Sequence, residues 1–458
     1  MESLHTLLST INGYVWGPFT LILLVGTGVY LTVGLGFLPI RKLVYGFQLL
    51  WQGRKSDASE GDITPFNALM TALSATVGTG NIVGVAGAIA IGGPGAVFWM
   101  WMTALVGMAT KYSEAVLAVK YREVDSRGRH QGGPMYYIKN GMGDNWKWLA
   151  FLFALFGTIA AFGIGNGVQS NAVANTLVQQ FNWPEWSHYV IGAVLAILTG
   201  LVLIGGILRI GTIAGKIVPF MAVVYVAGAL IIILSHLGDV PAALMMIVRD
   251  AFTGSAAAGG FIGATIMLAI QKGVARGVFS NEAGLGSAPI AHAAAKTNNP
   301  IRQGTIGMLG TFIDTIVICT MTALVIIMMN GWTQVDATTG LRISVAEITT
   351  FSFNAGLPGI GEYIVTFGLV FFAYTTILGW SFYGERCAEY LFGVKVIVPY
   401  RILWVIVVFI GAIANLKMMW VIAEILNGLM AIPNLIALLL LSPVVFKLSK
   451  DYFGSLPK

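Results

Sequence analysis

The amino-acid sequence predicts an all-α integral membrane protein with eleven transmembrane helices. Of its 458 residues, 57% are hydrophobic and only 10% are charged, and the mean hydropathy is +0.81. Soluble globular domains do not have this balance. Several separate apolar runs exceed the roughly 18 to 20 residues that an α-helix needs to cross a bilayer. Most of the chain is therefore expected to lie in lipid.

Prolines and short polar stretches mark the ends of the predicted spans, because proline begins or ends helices. The prolines at these edges are Pro39, Pro94, Pro184 and Pro358. The predicted spans are 14–38, 65–91, 95–121, 147–180, 187–207, 212–236, 257–295 (interrupted), 303–330, 359–392, 396–414 and 418–446. Shorter surface helices are expected at 40–53, 240–252 and 343–354.

Basic residues predict the orientation of the chain, because cytoplasmic loops carry an excess of Lys and Arg. With the N-terminus outside, only Arg249, Arg342 and Lys417 of the 26 basic residues fall in outer segments. The outer loops carry acids instead: Glu185, Asp239, Asp250, Asp336, Glu347 and Glu362. We therefore expect a multi-pass protein with the N-terminus outside and the C-terminus in the cytoplasm. The charge of +6 lies in inner-loop anchors beside membrane lipid, which argues against a nucleic-acid partner.

The run Ser-Ala-Thr-Val-Gly-Thr-Gly-Asn at 74–81 interrupts the second predicted span. Small and polar residues weaken a helix at a depth where no water reaches the backbone. Unwound backbone persists there when other protein, or a bound ion and solute, satisfies it. The run predicts a broken helix that offers free carbonyls and amides to a ligand. Close helix packing is the alternative, since small residues also line helix contacts.

A second interruption is predicted in the seventh span, between residues 269 and 287, where four glycines indicate unwound backbone. Five helices separate equivalent points of the two interrupted spans, and an odd number gives the two halves opposite topology. Paired interruptions in inverted halves indicate the binding site of a secondary transporter. The chain then divides into an accessory helix and linker (1–64) and two five-helix repeats (65–236 and 257–446).

The sequence argues against catalysis and against ATP as the energy source. It has no phosphate-binding loop and no His-Glu-x-x-His or Gly-x-Ser-x-Gly motif, and its five histidines are scattered. Cys319 and Cys387 both lie in apolar surroundings, so no disulfide framework is expected. We expect a non-enzyme without a cofactor that an ion gradient drives. A channel is the alternative of a different class, and it requires a continuous polar pore.

Four segments carry a family resemblance: SATVGTGNIVG at 74–84, RGVFSNEAG at 276–284, FIDTIVICT at 312–320 and ILGWSFYGE at 377–385. In this order they resemble the prokaryotic alanine/glycine:cation symporter family, and the likeness runs from about residue 15 to 450. The resemblance implies sodium-coupled uptake of alanine and glycine across a prokaryotic plasma membrane. It also implies a LeuT-type fold, in which a 5+5 inverted repeat follows one extra helix. Proton coupling through Asp314 or Glu282 is the alternative within this class.

A small amino acid has a carboxylate, an ammonium and a short side chain, and candidates exist for each. The carboxylate prefers N–H donors at the start of a half-helix, where the dipole is positive. The amides of Thr79 and Gly80 are predicted there, beside Asn81. Carbonyls suit the ammonium, and the candidates are Ser74 and the segment from Gln271 to Gly273. Side-chain candidates are Gln169, which we prefer, Asn166, and the aromatic caps Phe372 and Trp380; interhelical packing is the alternative for each.

The resemblance also implies where sodium binds. Thr375 and Thr376 resemble the hydroxyl pair of the sodium site shared by LeuT-type symporters, although threonines also bond to carbonyls of their own helix. Carbonyls complete the predicted set, from Ser74, Val77 and either Phe372 or Ala373. A possible second cation site comprises Thr76, Asn81 and the intramembrane carboxylate Asp314. A possible inner gate comprises Glu114, Arg276 and Glu282.

Overall fold

The computed structural model describes residues 2–55, 59–253, 262–335, 340–414 and 417–455, which form an all-α protein. The one hairpin of the described chain pairs β1 (Glu123–Val124) with β2 (His130–Gln131). The α-helices are α1 Glu2–Val15, α2 Pro18–Gly34, α3 Leu38–Arg41, α4 Leu43–Gln52, α5 Pro65–Thr76, α6 Val85–Gly92, α7 Gly95–Lys120, α8 Pro134–Tyr137, α9 Lys147–Phe162, α10 Val168–Phe181, α11 Ser187–Leu203, α12 Gly206–Ser235, α13 Val240–Thr253, α14 Ile262–Asn281, α15 Ala288–Ala293, α16 Pro300–Thr311, α17 Thr320–Met328, α18 Val345–Gly356, α19 Gly361–Phe392, α20 Ile397–Ile413 and α21 Lys417–Gly454. Wider π-helical turns join several of them, at Gly80–Gly84, Ile138–Met142, Gly163–Gly167 and Phe312–Cys319.

Seven helical stretches of the described chain are long and apolar enough to cross a membrane, and a bent pair makes an eighth. The seven are Thr6–Gly34, Asp144–Phe181, Gly206–Ser235, Pro300–Met328, Gly361–Phe392, Val394–Ile413 and Val421–Gly454. The bent pair joins Pro65–Thr76 to Gly80–Gly92. The chain is therefore a multi-pass membrane protein.

The other predicted spans are helical too, as α7, α11, and α14 with α15. The first span begins earlier than predicted, because the helix α1 precedes α2. Trp16 lies between these two helices, and its Nε1 donates a hydrogen bond to the Glu424 carbonyl. The predicted surface helices at 40–53, 240–252 and 343–354 correspond to α4, α13 and α18. The beginning of the predicted span 257–295, and the outer acid Asp336, lie outside the described residues.

The predicted break of the second span is confirmed. Thr64 caps the start of α5 by accepting the Asn67 N–H at 3.1 Å, and Pro65 occupies the first turn, where its missing N–H costs nothing. The helix ends at Thr76, and Val77 is extended. The chain then resumes as the π-helical turn Gly80–Gly84 and α6, bent by 55° from α5.

The predicted unwinding at Gln271 to Gly273 is wrong, because α14 is continuous from Ile262 to Asn281. Gly273 and Gly277 of this helix serve close packing instead. A Cβ at Gly273 would lie 2.3 Å from the Ala96 carbonyl of α7, and one at Gly277 would lie 2.4 Å from the hydroxyl of Thr103. Small residues four apart let two helices approach closely. These carbonyls are consequently part of a regular helix.

The second break lies about two and a half helical turns after Gly273, between α14 and α15. Glu282, Gly284 and Gly286 have φ angles of 55°, 90° and 81°. These left-handed values suit glycine and are costly for other residues. The interruption predicted between 269 and 287 therefore exists, but it is confined to residues 282–287.

We predict that Gly273→Ala destabilises the protein by about 1–3 kcal/mol, because the added methyl group forces α14 away from α7. The apparent melting temperature of the purified protein in detergent measures this change. Gly238→Ala is the matched control, since no atom lies within 4 Å of a Cβ at that position. If Gly273→Ala melts at the wild-type temperature but loses substrate binding, a ligand role for this segment replaces the packing role.

Candidate functional site

The two helix breaks and α19 line a small cavity. Its volume is about 10 Å³, enough for about one water-sized group. The lining residues are Ala75, Thr76, Gly78, Thr79, Gly80, Ile164, Gln169, Phe279, Glu282, Thr376 and Trp380. Many of the residues predicted from the two interruptions therefore meet around one space.

A larger open pocket of about 610 Å³, here called the vestibule, lies beside this cavity. Thr79, Gly80 and Phe279 line both spaces, so these residues form the partition between them. Arg276 and Glu424 line the vestibule and form an ion pair with 4.0 Å between Nη1 and Oε1. The vestibule gives solvent a route as far as the partition.

Gln169 connects the fourth predicted span to the first break. Its Nε2 donates to the Ile164 carbonyl at 3.0 Å and approaches the Thr79 hydroxyl at 3.5 Å. Its Oε1 is buried and has no hydrogen-bond partner. A buried acceptor without a partner is costly, and here it belongs to a residue that lines the cavity. Gln169 therefore presents a free acceptor next to the predicted carboxylate site.

The predicted sodium residues lie where α5 meets α19. The Thr376 hydroxyl is 2.9 Å from the Phe372 carbonyl and 3.5 Å from the Val77 carbonyl, which is freed by the break. The Thr375 hydroxyl bonds to the Phe372 carbonyl at 3.0 Å. Ser74 bonds to the Thr71 carbonyl of its own helix. The oxygens near this contact therefore include both threonine hydroxyls and the main-chain carbonyls of Phe372 and Val77.

Asp314 lies in the π-helical turn Phe312–Cys319 and is completely buried. Its Oδ1 accepts from Asn81 Nδ2 at 2.7 Å, and its Oδ2 accepts from Ser280 and Thr315 hydroxyls at 2.8 Å each. Asn81 also accepts the Gly78 N–H at 2.9 Å. These bonds join Asp314 to both interrupted segments. Thr76, the third predicted member, bonds instead to carbonyls of its own helix, Ala72 and Leu73.

Glu282 faces the cavity from the second break. Its Oε1 accepts from Trp380 Nε1 at 3.0 Å, and its Oε2 accepts from the Ser287 hydroxyl at 2.5 Å. Buried carboxylates are stable when donors surround them. Lys111 of α7 is buried as well. Glu282 therefore has a hydrogen-bond donor for each of its carboxylate oxygens.

Glu114 fixes the conformation of the second break from the neighbouring helix α7. Its Oε1 accepts the N–H groups of Gly284 at 3.1 Å and Gly286 at 3.2 Å, and the Asn434 amide at 2.7 Å. Asn434 also donates to the Gly284 carbonyl at 2.9 Å. Backbone groups released by the break are satisfied in this way. Glu114 therefore has a structural contact that the sequence did not indicate.

Comparison with known proteins identifies the family. The sequence model of the Sodium:alanine symporter family matches residues 1–458. The chain belongs to the sodium:alanine symporter family. It is 53% identical over 450 residues to the sodium/alanine symporter AgcS of Methanococcus maripaludis, covering 98% of this chain and 97% of that protein. It is also 51% identical to an uncharacterized transporter of Haemophilus influenzae (99% and 97% covered) and 42% identical to the uncharacterized transporter YflA of Bacillus subtilis (99% and 95% covered).

Some predicted residues of this symporter-family chain lie away from the cavity. Asn166 donates to the Trp404 carbonyl of α20 at 2.9 Å. The Phe372 ring packs 5.5 Å from that of Tyr225. Gln271 and Gly273 lie on the continuous helix α14, and neither lines the cavity. Asn166 and Phe372 thus make contacts between helices, which is the alternative to a substrate-binding role for these side chains.

The predicted inner gate is also corrected. Arg276 pairs with Glu424 in the vestibule rather than with Glu114 or Glu282, because it projects from α14 more than one turn before the second break. Glu424 also accepts a hydrogen bond from Asn12 Nδ2 at 2.7 Å. Glu424 lies near the start of α21, and no sequence pattern linked it to Arg276.

Sequence reasoning missed three further residues of the site. Phe279 and Ser280 lie within the quoted segment 276–284, but an aromatic and a small hydroxyl residue carried no distinct signal. Asn434 lies in an apolar helix, where a buried polar side chain is costly. A polar residue inside this apolar stretch is therefore a sequence signal that could have identified Asn434.

We predict that Glu114→Ala destabilises the protein more than Glu114→Gln. Alanine leaves the Gly284 and Gly286 amides without an acceptor, at a cost of about 1–3 kcal/mol for each buried group. Glutamine keeps a carbonyl oxygen for them. The apparent melting temperature in detergent measures the difference.

The control is Glu185→Ala, which removes a carboxylate whose side chain is 94% exposed. Equal melting temperatures for Glu114→Ala and this control would mean that the break does not depend on Glu114.

Proposed function

We propose that this protein is a sodium-coupled symporter that carries alanine, and glycine, into a prokaryotic cell by alternating access. The observation that carries the proposal is the contact of the first helix break with Gln169 and Thr376 around one cavity. It joins a half-helix start, which suits a carboxylate, to carbonyl and hydroxyl oxygens, which suit sodium. Membership of the sodium:alanine symporter family supports sodium and alanine as the two solutes.

We propose a LeuT-type 5+5 arrangement of eleven spans, with 1–64 as an accessory segment and 65–236 and 257–446 as inverted repeats. Supporting it, each of the eleven predicted spans is helical where described. The broken segments are the first element of each proposed repeat, and they meet at Asn81 and Ser280, 3.0 Å apart. Matching breaks at one contact are typical of transporters built from inverted repeats.

The amides of Thr79 and Gly80 bind the substrate carboxylate in this proposal, beside Asn81. The ammonium binds the free Oε1 of Gln169 and the Ser74 carbonyl. Trp380 closes the cavity over the small side chain. Because the cavity holds about one water-sized group, Trp380 or Phe279 must move before alanine enters.

Sodium binds between α5 and α19 in this proposal. Its ligands are the Thr376 and Thr375 hydroxyls with carbonyls of Ser74, Val77 and Ala373. Neutral oxygens at the end of a half-helix are suitable ligands for this cation. A second cation site is proposed at Asp314 and Asn81, with Ser280 and Thr315 as further oxygens and Thr76 on its edge. If Asp314 or Glu282 carries a proton instead, coupling follows the pH gradient.

We propose an outside N-terminus and a cytoplasmic C-terminus. The vestibule then opens outward, since Glu347 lies in it and belongs to the predicted outer acids. Arg276 and Glu424 would form an outer gate, with Glu282 and Glu114 holding the inner side closed.

The orientation is tested by labelling cysteine variants. Glu185→Cys should react with an impermeant thiol reagent on whole cells, and Lys395→Cys should react only after permeabilisation. The reverse result contradicts this orientation.

The experiment that tests the function is uptake of labelled alanine into liposomes containing the purified protein. We expect accumulation above the outside concentration with an inward sodium gradient, and none with an equal potassium gradient. Accumulation that follows a proton gradient alone would replace sodium by protons. Equilibration without accumulation under either gradient would support a channel.

We predict that Thr376→Ala raises the sodium concentration for half-maximal uptake about tenfold or more, because each 1.4 kcal/mol of lost binding is tenfold. Ser381→Ala is the matched control: it removes a buried hydroxyl of α19 that bonds only within its own helix, at 2.6 Å to Leu378. Unchanged sodium dependence in Thr376→Ala would place the ion elsewhere.

We predict that Gln169→Leu raises the KM for alanine by about 10- to 100-fold, because a hydrogen bond to a charged group contributes about 1.5–3 kcal/mol. Asn166→Ala is the comparison, since its amide bonds to α20. It should lower the melting temperature while leaving the KM nearly unchanged. A larger KM effect at Asn166 than at Gln169 would contradict the proposed ammonium site.

A further inference from the structure

Outside the cavity, four arginines line a pocket of about 250 Å³, here called the arginine pocket. Its lining consists of Arg127, Arg129, Arg386, Arg401 and the segment Ile204–Leu208 between α11 and α12. No carboxylate lines it. A concave surface formed by guanidinium groups and main chain favours an anion, and guanidinium geometry suits phosphate in particular.

Acids neutralise part of this charge from outside the pocket. Glu385 accepts from Arg401 Nε at 2.5 Å and from Arg386 Nη2 at 2.8 Å. Asp125 accepts from Arg127 Nη2 at 2.8 Å. Burial opposes ionisation of Asp125, but hydrogen bonds from the Arg129 and Arg127 groups outweigh it and lower its pKa to about 2. Glu389 lies 2.6 Å from Arg386 Nη1, and Asp62 lies 3.9 Å from Arg129 Nη1. The carboxylates thus order the arginines, while guanidinium groups are the charged groups that line the pocket itself.

Arg386 provides the second observation that indicates a ligand. Its side chain is 4% exposed, and its Nε is buried without a hydrogen-bond partner. A buried guanidinium donor without a partner carries a large desolvation cost. Arg386 lines the pocket, so an anion bound there is within reach to satisfy it. The start of the 30-residue helix α12 lies in the same wall and adds unpaired N–H groups and a positive dipole end.

The surroundings of the pocket indicate which phosphate compound it binds. Ile204 and Leu208 belong to the lining, and they are 74% and 41% exposed. They lie at the ends of α11 and α12, whose outer surfaces carry exposed apolar residues such as Ile197, Leu201 and Val223. A free phosphate ion has no use for an apolar rim, whereas acyl chains attached to a phosphate do. Basic pockets between helices at the membrane surface suit anionic lipid headgroups.

We propose that the arginine pocket binds the headgroup phosphate of an anionic phospholipid. The phosphate contacts Arg386 and Arg129, and the acyl chains lie along α11 and α12. In the orientation proposed above, this is the cytoplasmic leaflet. The site is separate from the transport cavity, so the proposal holds whichever ion drives transport.

The test is a lipid titration of the full-length protein in neutral detergent, followed by native mass spectrometry. Phosphatidylglycerol is compared with phosphatidylcholine of the same acyl chains, and inorganic phosphate serves as a competitor. Arg129→Gln should weaken phosphatidylglycerol binding about fivefold, and Arg127→Gln/Arg129→Gln about 25-fold, since each arginine near a membrane surface contributes about fivefold. Both arginines are more than one-third exposed, so these variants should fold.

Lys395→Gln is the matched control, because this exposed lysine lies between Arg386 and Arg401 in sequence and does not line the pocket. It should bind phosphatidylglycerol as the wild type does. The proposal is overturned if the arginine variants keep wild-type affinity, or if Lys395→Gln loses as much. Displacement of the lipid by equimolar inorganic phosphate would also overturn it, since the site would then take the free ion.

Discussion

The structure depends on satisfying main-chain groups at places where a helix is broken inside a membrane protein. Away from water, an unpaired N–H or carbonyl costs several kcal/mol, so each break needs fixed partners. At the second break, Glu114 and Asn434 supply them from α7 and α21. At the first, Asn81 turns back to accept the Gly78 amide. The two breaks that these partners stabilise supply much of the cavity lining.

The same requirement explains why polar side chains are concentrated at the centre. Asp314 joins the two interrupted segments through hydrogen bonds to Asn81 and Ser280. Glu282 links the second break to Trp380 of α19. The substrate and ion sites proposed here share this set of hydrogen bonds, and coupling between two binding sites is reciprocal. This arrangement is suited to a protein that must bind two solutes together.

Two residue patterns illustrate how far sequence reasoning extends. The first break was predictable, because the run 74–81 combines glycines with small polar residues in an apolar span, and the structure bends there by 55°. The second was placed about two and a half helical turns too early, because glycines that permit unwinding and glycines that permit close packing look alike in a sequence. Only the approach of Ala96 to Gly273 and the left-handed φ angles of Gly284 and Gly286 distinguish the two uses.

The sequence by itself determined the class of the protein, its helical segments and the four motifs of its family, because hydropathy and local composition act over short stretches of chain. Only the tertiary structure decided which polar residues share the cavity. Gln169 faces the first break while Asn166, one turn earlier, bonds to α20, and Arg276 pairs with Glu424, 148 positions away. Side-chain direction and pairing between distant helices depend on packing, and no local pattern encodes them.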